Sequence, residues 1–233
     1  MPEISKTADQ ALTVLLAVAE RGPLTPAELA STLGMNRTVV HRLLSTLHLR
    51  GFVARSADGY VPGAVLVSIA DRVQPALRST GRQVMRAVAD KVGETLVLHV
   101  PDGEQAVVLE QAVPDRHIVR VEHEIGSRHP LAAGASGRAI LAFSDTALID
   151  RVRRRHTASE ETLQQVRELG YALSHDELQN GVHGLAVPVL DPSGFAVASM
   201  AMLVPVSRAA GLHEHTETML QASARVARAL RTT

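Results

Sequence analysis

Apolar residues recur at helical spacing in three short segments near the N-terminus, and residues that favour a helix start precede each segment. The first segment begins at Thr7, which together with Gln10 fits the spacing of a capping box. The second begins after Thr25, with Pro26 at the first helical position and Glu28 completing another capping box. These signals predict two short helices in close succession.

A third helix is predicted from Arg37, because Gly34 suits a left-handed turn and Asn36 can cap the helix that follows. At about 100° per residue, one half of this helix gathers the apolar residues Val39, Val40, Leu43, Leu44 and Leu47. The other half gathers the polar residues Arg37, Thr38, His41, Arg42, Ser45, Thr46 and His48. No Asp or Glu occurs from residue 29 to residue 57, so the polar half carries no negative charge.

A β-hairpin is predicted next, with strands at 51–55 and 58–61. The order of helices, turn and hairpin predicts a winged helix-turn-helix, which lays one helix in the major groove of DNA. The candidate DNA contacts are Asn36, Arg37, Thr38, His41, Arg42, Ser45, Arg55 and Tyr60. Because Arg pairs with guanine and Thr contacts thymine methyl groups, Arg37, Thr38 and His41 are the expected base readers. Arg42 or Ser45 would contact phosphates. The alternative is an ordinary amphipathic helix with a solvated polar half.

The rest of the chain predicts a linker helix and an α+β domain. Residues 63–80 and 81–92 carry helical spacing, after which Val- and Leu-rich segments indicate strands. Strands are predicted at 95–100, 105–112, 118–121, 184–190 and 195–204, the last two joined by a turn at 191–194. Helices are predicted at 139–143, 162–169 and 212–230. An antiparallel sheet covered by helices follows, and the expected domains are 1–62, 63–80 and 81–233.

Composition narrows the class of protein further. The 24 basic and 24 acidic residues give no net charge, so any nucleic-acid contact must depend on a local basic face. Aromatic residues make up 2% of the chain, which argues against a single-stranded nucleic-acid binder. The absence of Cys excludes disulfides and thiolate metal sites. Without an apolar run near the ~20 residues of a membrane span or a signal-peptide layout, we expect a cytoplasmic protein.

Several segments together resemble the IclR family of bacterial transcription regulators. In the first half they are Leu29-Ala30, the run from Thr38 to Leu44, and Gly51-Phe52-Val53 leading to Gly59-Tyr60. In the second half they are the runs 129–139, 167–171 and 184–189. The resemblance covers residues 7–230. One departure is Val61-Pro62, where family wings usually continue with a basic residue and a Leu.

The resemblance implies a C-terminal GAF-like domain that binds a small-molecule effector and alters the affinity for DNA. Carried over from the family motif, the effector-binding positions are Val121, His129, Ala135, Ser136, Ser174, Gly184 and Ala201. They are less polar than in members that bind small carboxylic acids, which favours an effector with a hydrophobic or aromatic body, such as an aromatic acid. The resemblance also implies a homodimer or homotetramer on a near-palindromic operator, more often as a repressor.

Four other features of the sequence bear on function. Gly134 to Gly137 open a helix whose free N–H groups suit a ligand carboxylate, or form a plain helix start. A small-molecule hydrolase with a non-DNA N-terminal module is the alternative function. However, the chain has no Gly-x-Ser-x-Gly elbow and no phosphate loop, and Ser136 has no clear His–Asp partners.

His213 and His215 point to different sides of a helix, so we expect no metal or cofactor. The basic run 151–155 is read as a solvated face.

Overall fold

The computed structural model describes residues 3–231, which divide into two compact units, one that ends at Pro75 and one that begins at Ala76. The first unit contains three helices, a two-stranded hairpin and a short fourth helix. In chain order they are α1 (Lys6–Arg21), α2 (Pro26–Leu33), α3 (Arg37–Leu49), β1 (Val53–Ser56), β2 (Gly59–Pro62) and α4 (Val65–Ala70). The predicted winged helix-turn-helix is therefore confirmed.

The start of α2 follows the sequence prediction closely. The Thr25 side chain accepts a hydrogen bond from the Glu28 amide, and the Glu28 carboxylate accepts from the Thr25 amide at 2.8 Å. Gly34 ends the helix with φ of 62°, a left-handed conformation that disfavours residues with a Cβ. Residues within or next to α2 therefore define both where the helix starts and where it ends.

The start of α1 differs from the prediction, and so does its buried face, because the helical spacing of the sequence includes Leu12 and Leu16 among the apolar positions. The helix begins at Lys6 with Ser5 at the N-cap, so Thr7 lies inside the first turn and caps nothing. Leu12 and Leu16 share the helical spacing of the core residues but are 59% and 60% exposed. The residues of α1 that pack into the core are Val14, Leu15, Ala17 and Val18. Periodicity alone does not distinguish two adjacent apolar stripes on one helix.

The segment predicted as one linker helix at 63–80 is divided between two helices. After α4 the chain turns through residues 71–74, with Gln74 at φ of 44°. Helix α5 then runs from Pro75 to Val92. Pro75 therefore begins a helix rather than interrupting one, as expected for a residue whose missing N–H costs nothing at the first helical position.

The second unit is built on a six-stranded antiparallel sheet in the order β5-β4-β3-β8-β7-β6. The strands are β3 (Thr95–Asp102), β4 (Gln105–Ala112), β5 (Arg128–Pro130), β6 (Ala172–His175), β7 (Val182–Leu190) and β8 (Ala196–Pro205). The helices are α6 (Gly134–Leu141), α7 (Thr146–Arg155), α8 (Glu160–Leu169) and α9 (Thr216–Leu230), with a 3-10 helix over Val206–His215. The predicted α+β class is confirmed.

Helices cover both faces of this sheet, so its central strands are buried on both sides. Helices α5 and α9 pack on one face, against residues such as Leu98 and Met200. Helices α6, α7 and α8 pack on the other face, against residues such as Val97 and Ala201. The alternation of neighbouring residues between the two cores is the two-residue period of a strand.

The prediction of a strand at 118–121 is wrong. Residues 118–121 have no strand pairing, and the side chain of Ile118 is fully exposed. The edge strand is β5 instead, which pairs its three residues with Gln105, Ala106 and Val107 of β4. By contrast the predicted hairpin of β7 and β8 is confirmed. The Asp191 carboxylate stabilises its turn by accepting from the amides of Ser193 and Phe195.

We expect Thr25→Ala to lower the free energy of unfolding of the first unit by about 1 kcal/mol, because it removes the cap of α2. The matched control is Ser31→Ala on the exposed side of the same helix, where Ala should leave stability unchanged or slightly raised. Denaturant unfolding followed by circular dichroism measures both. Equal stability of the two variants would contradict the role of the capping box.

Candidate functional site

The polar half of α3 lies open to solvent along its whole length. Arg37, Thr38, His41 and Arg42 are all exposed, whereas Val40, Leu43, Leu44 and Leu47 are buried against α1, α2 and the hairpin. Asn36 caps the helix by accepting from the Thr38 amide at 2.8 Å. The apolar half thus fixes the rotation of α3 about its axis, and that rotation presents the acid-free half outward.

Some of the predicted DNA contacts are already engaged within the first unit. The Ser45 hydroxyl donates to the His41 carbonyl oxygen at 2.8 Å, so its proton is not available to a phosphate in this conformation. His48, a polar residue of α3 outside the predicted contacts, is also engaged, because its Nδ1 atom lies 3.1 Å from the Val53 carbonyl oxygen. The groups with unengaged polar ends are therefore concentrated at the N-terminal end of α3.

Tyr60 is a predicted DNA contact, but the structure buries its side chain. Its side chain belongs to the core of the first unit and is 6% exposed. The Tyr60 hydroxyl accepts a hydrogen bond from Arg55 Nε at 3.2 Å, and the Arg55 guanidinium lies 5.7 Å from the centre of the ring. Tyr60 therefore orients the exposed Arg55, which remains the candidate contact on the hairpin.

In the second unit, the predicted effector positions converge on the sheet face that α6 covers. Val121, Ala135 and Ala201 are buried in one apolar cluster on this face. Gly184 pairs with Ser174 across β7 and β6. A Cβ placed on Gly184 would lie 2.8 Å from the Ser174 hydroxyl and 3.6 Å from the Ala135 Cβ. Glycine at 184 thus leaves room for the Ser174 side chain beside Ala135.

The structure also brings Ser136 and His129 together. The Ser136 hydroxyl lies 3.0 Å from His129 Nε2, and His129 Nδ1 lies 3.1 Å from the Pro130 carbonyl oxygen. Because a carbonyl oxygen can only accept, the proton of the neutral ring sits on Nδ1, and Nε2 accepts from Ser136. A nucleophilic serine needs a base that a carboxylate orients; here the orienting group is a backbone carbonyl. The pair positions two polar side chains at the start of α6.

The sequence offers the N-terminus of α6 as a possible site for a ligand carboxylate. In the structure a carboxylate of the protein itself, that of Glu177, lies there. Glu177 accepts from the Gly134 amide at 3.0 Å and from two nitrogens of Arg138 at 2.5 and 2.7 Å. The hydrogen bonds from Arg138, more than the one from Gly134, hold the pKa of Glu177 below its usual range against partial burial. The positive end of α6 is thereby neutralised from within the chain.

Sequence reasoning missed a cluster of three histidines beside this face. The His99 ring is buried on β3, with its centre 5.3 Å from that of His129 and 6.3 Å from that of His123. Burial, with smaller contributions from the other two histidines, holds the pKa of His99 well below its ordinary value. Burial likewise lowers the pKa of His123 and of His129. Strand alternation from Val97 could have placed His99 on this face, but nothing in the sequence links it to His123.

Other candidate features do not form a site. Within residues 3–231, no group of three or more His, Asp or Glu side chains is arranged to hold a metal ion. The basic run lies on the exposed side of α7, where Arg153 pairs with Glu160 and Arg155 with Glu104. Arginines in the last turn also suit the helix dipole. None of the helices in the described part of the chain is long and apolar enough to cross a membrane.

The winged helix-turn-helix and the helix-covered sheet define a DNA-binding transcription regulator with a second, ligand-binding type of domain. The description "IclR helix-turn-helix domain" matches residues 7–57, and "Bacterial transcriptional regulator IclR C-terminal" matches residues 73–230. The chain belongs to the IclR family of bacterial transcription regulators. The relatives that match it are transcriptional regulators and not enzymes.

Individual relatives agree with this assignment over nearly the whole chain. The regulator KipR of Bacillus subtilis is 32% identical over 209 residues, which cover 82% of each protein. A solved IclR transcriptional regulator from Alicyclobacillus acidocaldarius is 27% identical, with a TM-score of 0.84 over 97% of this chain and 99% of that one. An IclR homologue from Microbacterium hydrocarbonoxydans, solved with 4-hydroxybenzoate, shares the fold at 21% identity, with a TM-score of 0.86 over 98% and 100% of the two chains.

We expect the three histidines to make the second unit less stable in mild acid. Their pKa values are lower in the folded chain than in the unfolded chain. The unfolded chain therefore binds more protons as pH falls through about 6.5, and the free energy of unfolding decreases. His99→Phe should reduce the fall in melting temperature between about pH 7.5 and about pH 5.5. Thermal unfolding followed by circular dichroism measures it.

The matched control for this experiment is His213→Asn, which changes an exposed histidine of the 3-10 helix. Its melting temperature should fall with pH as much as that of the wild type. An identical pH dependence of His99→Phe and the wild type would show that the burial of His99 is not linked to stability.

Proposed function

We propose that this protein is a ligand-responsive repressor that reads its operator with the N-terminal end of α3. The observation that carries the proposal is the exposed, acid-free half of that helix, which Asn36 caps and the apolar half orients. Arg37, Thr38 and His41 are the proposed base readers. Arg42 and, on the hairpin, Arg55 are the proposed phosphate contacts. Arg–guanine and Thr–thymine contacts are the geometries that a helix in the major groove allows.

The distribution of charge along the chain supports α3 as the DNA-binding surface. Residues 29–57 contain four Arg and no Asp or Glu, although the whole chain has no net charge. DNA affinity depends on local phosphate neutralisation, so a small basic face can suffice when two copies bind together. We therefore propose a cytoplasmic homodimer or a tetramer of two dimers on a near-palindromic operator, since two-fold proteins match two-fold sites.

We propose that the effector binds on the sheet face beneath α6. Contacts among the seven predicted positions support this. Ser136 and His129 contact each other at the start of α6. Gly184 lies beside Ser174 and Ala135, and Val121 and Ala201 belong to the same apolar cluster as Ala135. A family homologue solved with 4-hydroxybenzoate supports a small molecule as the effector. The apolar lining favours an effector with a hydrophobic body. To act as a switch, it must bind one of two states of the regulator more tightly than the other.

We expect Arg37→Ala and Thr38→Ala to relax sequence preference. Each lost base contact should cost about 1–3 kcal/mol of discrimination against the wrong base pair. The measurement is selection of duplexes from a randomised pool, followed by binding titrations with the selected sequence and its single-base variants. Unchanged preference in both variants would contradict the assignment of α3 as the reading helix.

Arg42→Ala should instead weaken binding to all duplexes alike, and should reduce the slope of log affinity against log salt by about 1. The matched control is Arg154→Ala, which removes an exposed arginine from the basic run of α7. That variant should keep the affinity and the salt slope of the wild type. A larger loss in Arg154→Ala than in Arg42→Ala would move the DNA surface to α7.

A further inference from the structure

Three buried polar side chains in the second unit have no hydrogen-bond partner among residues 3–231. They are the Thr95 hydroxyl, both ring nitrogens of His99 and the Ser199 hydroxyl. Each of these residues is no more than 1% exposed. An unpaired buried polar group destabilises a protein, so such groups on one sheet face call for a functional explanation.

His99 and Ser199 lie directly opposite each other on β3 and β8. They are on the face that α6 covers, because Val97 and Ala201 form the next pair along the same face. Residues that are opposite in an antiparallel pair have Cβ atoms about 4.5–5.5 Å apart. The unpaired atoms of His99 and Ser199 can therefore reach a single small group placed above the two strands.

A cavity of about 290 Å³ lies near this pair. Its wall includes His123 and His129, whose ring centres lie 6.3 Å and 5.3 Å from that of His99. His99 and Ser199 do not themselves line the cavity, so a bound group has to pass these two rings to reach the pair. The volume is just below the usual range for small-molecule sites, which suits a compact molecule.

The hydrogen-bonding capacity of the pair selects the chemistry of that end. The ring of His99 is held neutral by its burial, so it offers one donor and one acceptor. A ligand hydroxyl can donate to the acceptor nitrogen of His99 while it accepts from the Ser199 hydroxyl, whereas a carboxylate cannot donate to that nitrogen. The neighbouring cations are already engaged, because Arg138 pairs with Glu177 and Arg128 pairs with Asp102. The site therefore favours a neutral hydroxyl over an anion.

We propose that His99 and Ser199 form the recognition pair for a hydroxyl group of the effector. The inference rests on the proposed effector site beneath α6 and adds to it the class of ligand. The effector is then a compact alcohol or phenol whose hydroxyl contacts both His99 and Ser199. If the molecule also carries an acid group, that group lies towards the mouth of the cavity, away from His99.

The first test needs no ligand and uses the full chain. Ser199→Ala removes an unpaired buried hydroxyl, so its melting temperature should rise by about 2 °C or more. The matched control is Ser223→Ala, because the buried Ser223 hydroxyl donates to the Pro188 carbonyl oxygen. That variant should melt at a lower temperature than the wild type. A fall for Ser199→Ala would show that its hydroxyl is satisfied within the protein, by an ordered water for example, and would overturn the proposal.

The second test compares hydroxylated compounds with partners that lack the hydroxyl. The probes are 4-hydroxybenzoate with benzoate, mandelate with phenylacetate, and 2-phenylethanol with ethylbenzene, each titrated by calorimetry. The wild type should prefer the hydroxylated member of at least one pair by about tenfold or more. Ser199→Ala and His99→Phe should each lose that preference while still binding the partner without the hydroxyl.

The outcomes separate this inference from the proposed effector site. If compounds bind without any preference for a hydroxyl, or if both variants keep the preference, hydroxyl recognition by the pair is wrong and the effector site stands. If no probe binds the wild type, the proposed site fails for this class of compound, and the inference fails with it.

Discussion

The packing of the apolar half of α3 is the constraint on which the proposed DNA surface depends. Val40 and Leu44 are completely buried, and Leu43 and Leu47 nearly so, which leaves the helix one rotation about its axis. That rotation places Arg37, Thr38 and His41 in solvent and leaves no polar side chain of α3 in the core. The capping groups Thr25 and Asn36 then set where α2 and α3 begin. A basic reading surface thus follows from hydrophobic packing and two local hydrogen-bond motifs.

In the second unit the sheet is buried on both faces and still carries polar side chains, which need hydrogen-bond partners. Most of these are satisfied: Ser136 by His129, Ser223 by Pro188, and Glu110 by Arg82. Thr95, His99 and Ser199 are exceptions within the described residues. Buried groups left unpaired lower stability, and a binding site is where a protein benefits from such groups. The start of α6, with Glu177 in place, already has its charge balanced and leaves neutral hydrogen bonding as the basis for selectivity.

Local signals made the first unit largely predictable from the sequence, and long-range contacts made the second less so. The capping box at Thr25, the turn at Gly34 and the two halves of α3 act within a few residues. The burial of Tyr60 depends on the fold of the whole unit, and so does the exposure of Leu12 and Leu16. The histidine cluster joins residues from β3, β5 and a loop, and Glu177 reaches α6 from 43 residues away. No spacing rule connects such residues before the sheet order is known.

Hydrogen exchange of the full chain, with and without a duplex selected from a randomised pool, tests the central claim most directly. If α3 reads DNA, the amides that gain protection should centre on residues 36–42 and on the hairpin near Arg55. The basic segment of α7 should exchange at the same rate in both samples. Protection centred on α7, with α3 unchanged, would contradict the account.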